Sequence, residues 1–461
     1  MEKQKKIILR LSNTNSNLIG EVSDKVLAEI SIKLSFIKQG ACFTPAYQNG
    51  WWDGREYLFK KRKFPTGLIR LVIKVLKDNK QDYEIEDVRI KPISKISYGK
   101  FLYTLRPYQK DAVEKCIKSQ RGIIKVGTGG GKTVIAMGLI NALSLRTLFI
   151  VNTLEALVDT KNTFLKAFEN ETPGIIGYGK KQVGDKLTIA TMKSVVNILN
   201  KTPNLLLEKQ FGLIIVDEVH HSGSKSWFKA LEKIDTYYRI GLTGTNFRTD
   251  GGGLYLQAVS GKKIVDIPTR WLIDKGFLVE PEIHFVAVKM KDNINYPMNY
   301  QDIYKIGIIF NEERNKKIIE LIKSYPDKIK LVVFERIEHG DILSKMLSDE
   351  KIKHTLISGK TKDRDKLKKE FTDGNIKTVL ASRIYNESAD IPVLEMVINS
   401  AGGKSGIQVL QRIGRSLRIH KSKTTALIFD FLDTFNYKLE QHSNKRLTWL
   451  EKEKFKVTLE E

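Results

Sequence analysis

Hydrophobic and polar positions follow two rhythms along this chain, and the change between them marks its parts. From about residue 120, short runs of β-branched and aliphatic side chains alternate with stretches whose apolar positions recur every three or four residues. The runs are 122–126, 147–151, 187–191, 213–216 and 239–242, then, after a break at 246–280, 330–334, 354–357, 378–381, 396–399 and 426–429. Uninterrupted apolar strands separated by amphipathic helices indicate parallel sheets covered on both faces. Two series of five therefore predict two tandem α/β domains, over 96–275 and 276–440. The first 95 residues read differently. Period-2 stretches at 3–11, 57–59 and 68–75, with turn signals at Asn49-Gly50 and Pro65-Thr66-Gly67, predict a small α+β accessory domain. The Gly251-Gly252-Gly253 run in the break reads as a loop, and the charged stretch 441–461 as a helical appendage.

The length, 461 residues, suits two to four domains at about 100–200 residues each. Charge adds a partner class. Lys and Arg number 78 against 53 Asp and Glu, a formal excess of +25, which calls for a polyanion, with nucleic acid ahead of an anionic membrane surface. The first 100 residues hold 20 basic and 11 acidic side chains, so the excess is distributed and a basic tail is excluded as its source. Two cysteines, Cys42 and Cys116, cannot build a disulfide framework or a four-thiolate zinc site. No apolar run reaches the ~18 residues of a membrane span or resembles a secretory leader. The expectation is a soluble, cytoplasmic, monomeric protein.

Candidate chemistry begins at Val126-Gly127-Thr128-Gly129-Gly130-Gly131-Lys132-Thr133. It lies between a predicted strand and a predicted helix over 134–142, the context of a phosphate-binding loop. Small residues let successive backbone N–H groups turn toward one anion, and the helix N-terminus adds its dipole. Lys132 is placed to reach the β- and γ-phosphates of ATP, and the Thr133 hydroxyl to bind Mg²⁺. Val126 stands where the strict pattern has its first Gly. About 85 residues on, the strand 213–216 ends in Asp217-Glu218-Val219-His220. Asp217 is read as the Mg²⁺ carboxylate and Glu218 as the group that orients the attacking water.

Asp217-Glu218-Val219-His220 together with the Gly129–Thr133 loop resembles the DExH-type superfamily 2 helicases, and the likeness runs in order from about 105 to 420. The resemblance implies two RecA-like domains. Leu105-Arg106-Pro107-Tyr108-Gln109 is similar to the adenine-reading segment, with Gln109 on the base edge and Arg106 near it. Segments 149–154 (with Asn152 where Pro is usual) and 188–191 are similar to strand ends that touch the nucleic-acid backbone, through Thr153 and Thr191. Gly241-Leu242-Thr243-Gly244-Thr245 resembles the coupling motif, in which Thr243 and Thr245 act with His220. In the second half, 379–382 and 387–392 resemble the next motif, giving Ser382 to the nucleic acid and Asp390 to the nucleotide; Ser388 replaces the usual Gly. Finally, 408–418 resembles the motif that supplies Gln411, Arg415 and Arg418, which fall on one side of a helix and are implied to stabilise charge on the γ-phosphate.

Near the N-terminus, Gly50-Trp51-Trp52-Asp53-Gly54-Arg55, a basic run and Pro65-Thr66-Gly67-Leu68 resemble the accessory domain of phage UvsW-type repair helicases. That likeness implies branched DNA (a fork, Holliday junction or displacement loop) as substrate, with unwinding and branch migration as activities, and possible recombination or replication partners. Read from the residues, Trp51 and Trp52 beside Arg55, Lys60, Lys61, Arg62 and Lys63 form either a stacking wedge with phosphate contacts or, for the tryptophans, part of a core and, for the basic run, a solvated face. No metal-ligand spacing supports zinc. An RNA helicase or RNA-remodelling ATPase, and the motor of a restriction-type complex, remain open beside the DNA reading.

Overall fold

A computed structural model describes residues 6–92, 95–219, 224–244, 252–289, 299–359, 361, 363–382, 391–404, 413–414, 416–421 and 423–460. The chain forms two compact units, Met1–Val126 with Gly131–Asp266 and Gly127–Gly130 with Ile267–Glu461.

In the first unit, β1 (Ile7–Leu11), β2 (Asn15–Ile19), β5 (Lys63–Pro65) and β6 (Tyr83–Asp87) form a sheet in the order β5-β2-β1-β6, beside the short pair β3 (Ser35–Ile37) and β4 (Arg55–Tyr57). Helices Asp24–Lys33 and Ile69–Asp78 cover it. The second helix corrects the sequence reading, which took 68–75 as period-2. Leu68, Val72, Val75 and Leu76 are buried, at offsets of four, seven and eight, while Arg70, Lys74 and Lys77 fall on the other side. That is the helical period; the apparent alternation came from a stretch apolar at nearly every non-basic position.

The motor sheet of this unit holds eight strands: β7 (Arg121–Val126), β8 (Thr147–Val151), β9 (Gly174–Gly177), β10 (Lys180–Lys181), β11 (Leu187–Thr191), β12 (Leu213–Val216), β13 (Tyr238–Thr243) and β14 (Lys263–Ile267), in the order β10-β9-β11-β8-β12-β13-β7-β14. The central ladders β9-β11-β8-β12-β13-β7 are all parallel, and β10 turns back antiparallel on β9. Strands β8, β11 and β12 are buried along their whole length, as strands covered on both faces must be.

The accessory sheet and the motor sheet share one continuous core, in which Leu9, Phe64 and Val72 join Phe228, Leu231 and Leu256. Phe36 meets Tyr255 edge-to-face at 5.1 Å, and Glu56 pairs with Lys225 at 2.8 Å. Residues 6–92 pack within the first unit.

The second unit carries a seven-stranded parallel sheet: β15 (Glu280–Val288), β16 (Lys330–Phe334), β17 (Thr355–Ile357), β18 (Thr378–Ser382), β19 (Met396–Asn399), β20 (Thr425–Asp433) and β21 (Val457–Glu460), ordered β17-β18-β16-β19-β20-β15-β21. Every pairing in it is parallel. The end of the chain is no appendage: helix Tyr437–Lys452 buries Leu439, Arg446 and Leu450, and β21 then adds to the sheet beside β15. Together these sheets give the two RecA-like layers with a small α/β part before them. Among the described residues, no helix is long and apolar enough to cross a membrane.

Candidate nucleotide and nucleic-acid site

In a parallel sheet every strand delivers its last residue to the same edge, so residues scattered in sequence gather there. At that edge of the first unit stand Val126 ending β7, Val151 ending β8, Thr191 ending β11, Val216 ending β12 and Thr243 ending β13. Lys132 opens the helix Lys132–Leu143, one residue before Thr133. Gly129 and Gly131 take φ of +85° and +79°, a region open to glycine at no steric cost, and the loop needs both. A side chain at Gly131 would also come within 2.7 Å of Gln109 Nε2, so Gln109 lies directly against the loop.

Gln109 is itself fixed. It is buried, its Oε1 accepts from the Arg106 N–H at 2.9 Å, and its Nε2 faces the Tyr108 hydroxyl at 3.4 Å. The Arg106 N–H donates to Gln109 Oε1 and the Gln109 N–H donates to Arg106 O at 2.9 Å, closing the start of helix Pro107–Ser119, where Pro107 pre-sets the first turn. The pair predicted to read a base is thereby held by the way its helix begins.

Across the loop, Lys132 Nζ lies 3.0 Å from Glu218 Oε1, both side chains mostly buried. Asp217 Oδ1 accepts from the Glu218 N–H at 2.9 Å, and the Asp217 N–H donates to Ile150 O at 2.8 Å. Glu218 sits at φ +45°, a left-handed setting costing a non-glycine residue about 1 kcal/mol and characteristic of positions held for function. Asn152, where Pro is usual, donates Nδ2 to Glu218 O at 3.4 Å and so ties the end of β8 to the carboxylate pair. An anion seated on the loop would compete with Glu218 for Lys132. The hydroxyl of Thr133 and the carboxylate of Asp217 are hard oxygen donors of the kind Mg²⁺ prefers.

Thr153 and Thr191 both cap helices. Thr153 Oγ1 accepts from the Ala156 N–H at 3.1 Å, opening helix Leu154–Ala167; Thr191 Oγ1 accepts from the Ser194 N–H at 3.4 Å, opening Met192–Lys201. Thr191, Thr243 and Ser382 are buried. Arg418 is half-buried in the second unit. Gln411, Arg415, Asp390, His220 and Thr245 lie outside the described residues.

The N-terminal candidates divide. Trp51 is 81% exposed, whereas Trp52 is half-buried and donates Nε1–H to Arg55 O at 2.8 Å. Arg55 reaches Ser35 Oγ at 3.2 Å. Lys61 and Arg62 occupy a two-residue turn at φ +49° and +62° closed by paired Lys60–Lys63 backbone bonds of 2.9 Å, and Arg62 donates to Gly20 O. Two grooves lined in part by lysines lie in this unit. One, about 340 Å³, has Lys60, Lys63, Lys225 and Lys229 together with Glu56, Glu232, Phe64, Phe228 and Tyr255. The other, about 230 Å³, lies beside Lys180, Lys181 and Lys201, next to the end of β11. Lysines from segments distant in sequence make each, so no local motif announces them.

Residues 102–248 match the family described as type III restriction enzyme, res subunit; 313–420 match the helicase conserved C-terminal domain; 8–86 match the DNA helicase UvsW N-terminal domain. The ATP-dependent DNA helicase UvsW of Enterobacteria phage T4 is 27% identical over 463 residues, covering 92% of this chain and 90% of that protein. The DNA 3'-5' translocase XPB2 of Sulfurisphaera tokodaii is 26% identical over 382 residues, 73% of this chain and 84% of the relative. A putative DNA 3'-5' helicase Rad25 of Haloarcula marismortui is 29% identical over 324 residues, and the match spans only 50% of it. Among solved structures, the Mycobacterium smegmatis helicase Lhr bound to ssDNA and AMP-PNP shares the fold with a TM-score of 0.56 at 17% identity, covering 77% of this chain and 49% of that one. With its N-terminal part and both motor halves matched in order, the chain belongs to the superfamily 2 ATP-dependent helicases.

Proposed function

We propose that this helicase is a DNA motor that acts on branched DNA, coupling ATP hydrolysis to unwinding and branch migration. The observation that carries the ATPase half is the Lys132–Glu218 pair at 3.0 Å beside a loop against which Gln109 is packed. Lys132 holds the β- and γ-phosphates, Gln109 and Arg106 take the base, and Asp217 with Thr133 would hold Mg²⁺, whose contribution is to neutralise developing phosphate charge. Glu218, displaced from Lys132 by the phosphates, orients the attacking water. Arg415 and Arg418, with Gln411, complete the charge stabilisation, and Asp390 contacts the nucleotide. His220, Thr243 and Thr245 couple hydrolysis to strand movement. Thr153, Thr191 and Ser382 line the nucleic-acid track, with grip mostly on phosphates, since a motor cannot depend on sequence.

The DNA half of the proposal is supported by the match of residues 8–86 to a UvsW N-terminal domain and by the DNA helicase and translocase relatives. Trp51, with the basic turn Lys61-Arg62, offers an aromatic face and phosphate contacts to a DNA branch. The test is steady-state ATP hydrolysis at fixed salt without nucleic acid, then with single-stranded, duplex and branched DNA and matched RNAs. Strongest stimulation by branched DNA supports the reading; stimulation mainly by RNA overturns the DNA assignment while leaving the motor intact. The match of 102–248 to a restriction-enzyme subunit favours one second reading, a restriction-type motor, which would be recognised by site-dependent cleavage when its partner subunits are supplied.

A further inference from the structure

Strands β3 and β4 form a hairpin, with Ser35, Phe36 and Ile37 opposite Tyr57, Glu56 and Arg55, and the Lys38 N–H donates to Gly54 O at 2.8 Å where its loop begins. That loop, 38–54, is long yet ordered by its own bonds. Ala46 O accepts from the N–H groups of Trp51 and Trp52 at 2.9 and 3.0 Å, and Thr44 Oγ1 donates to Ala41 O at 2.7 Å. Gln48 Nε2 donates to Cys42 O at 3.3 Å, while Asp53 accepts from the Arg55 N–H at 3.0 Å and from the Tyr57 hydroxyl. The Tyr47 ring lies against Gly54, where an added Cβ would come within 2.9 Å of it. Among the described residues, the two most exposed large apolar side chains are Phe43, at 83%, and Trp51, and both belong to this loop; the next is Tyr437 at 71%.

The foot of the hairpin stands on the motor. Phe36, on β3, is the ring that meets Tyr255, and Glu56, on β4, is the carboxylate that pairs with Lys225. Tyr255 belongs to helix Gly252–Ser260, and Lys225 opens helix Lys225–Lys233. Leu34 and Leu58, flanking the two strands, are buried, and the Leu58 N–H donates to Leu34 O at 2.9 Å. Charge points to the class of partner. Residues 33–63 hold seven basic and two acidic side chains, and both acids are engaged, Asp53 inside the loop and Glu56 on Lys225. The hairpin and its flanks therefore suit a polyanion.

Holding two large aromatic side chains in water on an ordered loop does nothing for folding, so their use lies in a contact. Because the loop is ordered beforehand, that contact loses little entropy. An aromatic face stacks on a base of any identity. Inside a duplex the bases already stack on one another, and a face is free to receive one only where the duplex ends or opens. We propose that loop 38–54 is the strand-separating wedge of this motor, in which Phe43 joins Trp51 as a face that takes a base at the junction, while β3 and β4 hold the wedge to the motor helices. The inference rests on the DNA reading and adds to it the element that parts the strands.

The test uses the full chain with forked DNA at saturating concentration, and its readout is base pairs opened per ATP hydrolysed. Phe43→Ala and Trp51→Ala each remove one face, whereas Phe43→Tyr keeps it. The ratio should fall about 5-fold or more in each alanine variant, the worth of a lost stacking contact, and hold within about 2-fold in Phe43→Tyr. Phe43 is exposed, so its variants should keep the thermal midpoint of the parent. An unchanged ratio in Phe43→Ala overturns the proposal, including the case in which unwinding and ATP hydrolysis fall together, since that is damage to the motor. A loss as large in Phe43→Tyr as in Phe43→Ala also overturns it, because stacking would not be what was removed. The parent protein separates the two levels. If RNA stimulates it and forked DNA does not, the DNA reading has failed; if it opens forks and Phe43→Ala opens them at the same ATP cost, only the wedge has.

Discussion

Replacing Gly67 by Ala tests whether the accessory sheet is seated on the motor, because local and tertiary effects have opposite signs there. Gly67 lies in the short turn Thr66–Leu68. Its φ is not left-handed, so Ala is tolerated by the backbone, and the loss of unfolded-chain freedom stabilises by about 0.4–1 kcal/mol. Against this, the new Cβ would stand 2.0 Å from Gln257 O and 2.5 Å from Ala258 O, where side-chain carbons keep at least 3.0 Å. Both obstacles are backbone of helix Gly252–Ser260, and no side chain can swing away. The turn itself is pinned, with Thr66 Oγ1 bonded to Ser12 O at 2.8 Å and facing Ser16 Oγ at 2.9 Å. The two surfaces must therefore part by about 1 Å, at a typical overpacking cost of about 1–3 kcal/mol. The net expectation is about 1–2 kcal/mol against docking, a 5–30-fold shift in any opening equilibrium. Amide hydrogen exchange reads it directly: helix Gly252–Ser260 and strands β1 and β2 should lose protection, while β8 and β12 keep theirs. Basal ATP hydrolysis should persist and preference for branched over linear DNA should fall. Protection unchanged or increased at Gly252–Ser260 would show that propensity wins, and that the two sheets are not held through this turn.

Lys132→Ala should lower ATP turnover by at least about 10²-fold while leaving salt-dependent DNA binding within about 2-fold; retained turnover in a hydrolysis assay removes the phosphate-loop assignment. Trp51→Ala should weaken binding of branched DNA by about 5–100-fold, the worth of one stacked base, with no change in thermal midpoint. Trp52→Ala, which loses the bond to Arg55 O, should instead lower the midpoint, and the reverse pattern would exchange their roles. His339 is buried and pushed down to about 3 by burial and by Arg314. Between the ordinary 6.5 and that value the unfolded chain binds a proton that the folded one does not, so stability falls as pH drops through this window, by at most about 5 kcal/mol. His339→Gln, keeping a partner for Asn315 Oδ1, should flatten urea midpoints measured from pH 7 to 4; identical slopes in both proteins would refute the assignment.

The parallel cores were legible because burial on both faces leaves a plain mark. Runs 147–151, 213–216 and 396–399 coincide with the observed strands. What escaped were strands whose exposure breaks the run. β10 is Lys180-Lys181 at an edge of the first unit's sheet, β21 has two exposed positions at an edge of the second unit's sheet, and β9 carries glycines at both ends. Glycine is needed at the N-terminal end of β9, since a Cβ at Gly174 would stand 2.1 Å from the backbone nitrogen of Gly184. In the candidate site, Lys132, Asp217 and Glu218 follow strand ends and Gln109 stands in the first turn of a helix, so short motifs of the sequence mark their places. Elsewhere, buried cations such as Arg314 and Arg446 leave no such mark, since they bond carbonyls 86 and 43 residues away in sequence.

The same contrast bears on how such a motor can be indifferent to sequence yet exact in its chemistry. Thr153 and Thr191 use their hydroxyls to close their own helices, so on the proposed reading their hold on DNA is mainly one of place. Each marks a helix N-terminus facing the sheet edge, where backbone N–H groups favour any phosphate equally. Around Lys132 the opposite holds. Its partner Glu218 is held at φ +45° by Asp217 and Asn152, a setting with one useful orientation. Backbone donors repeated along an edge tolerate a strand that slides past, whereas a strained carboxylate beside a single ammonium tolerates only one arrangement of phosphates. A parallel sheet supplies both from one edge, because it ends every strand there and starts every helix there. On the proposed reading, the division of labour between loose grip and strict chemistry follows from topology, with side chains deciding only which strand end does which.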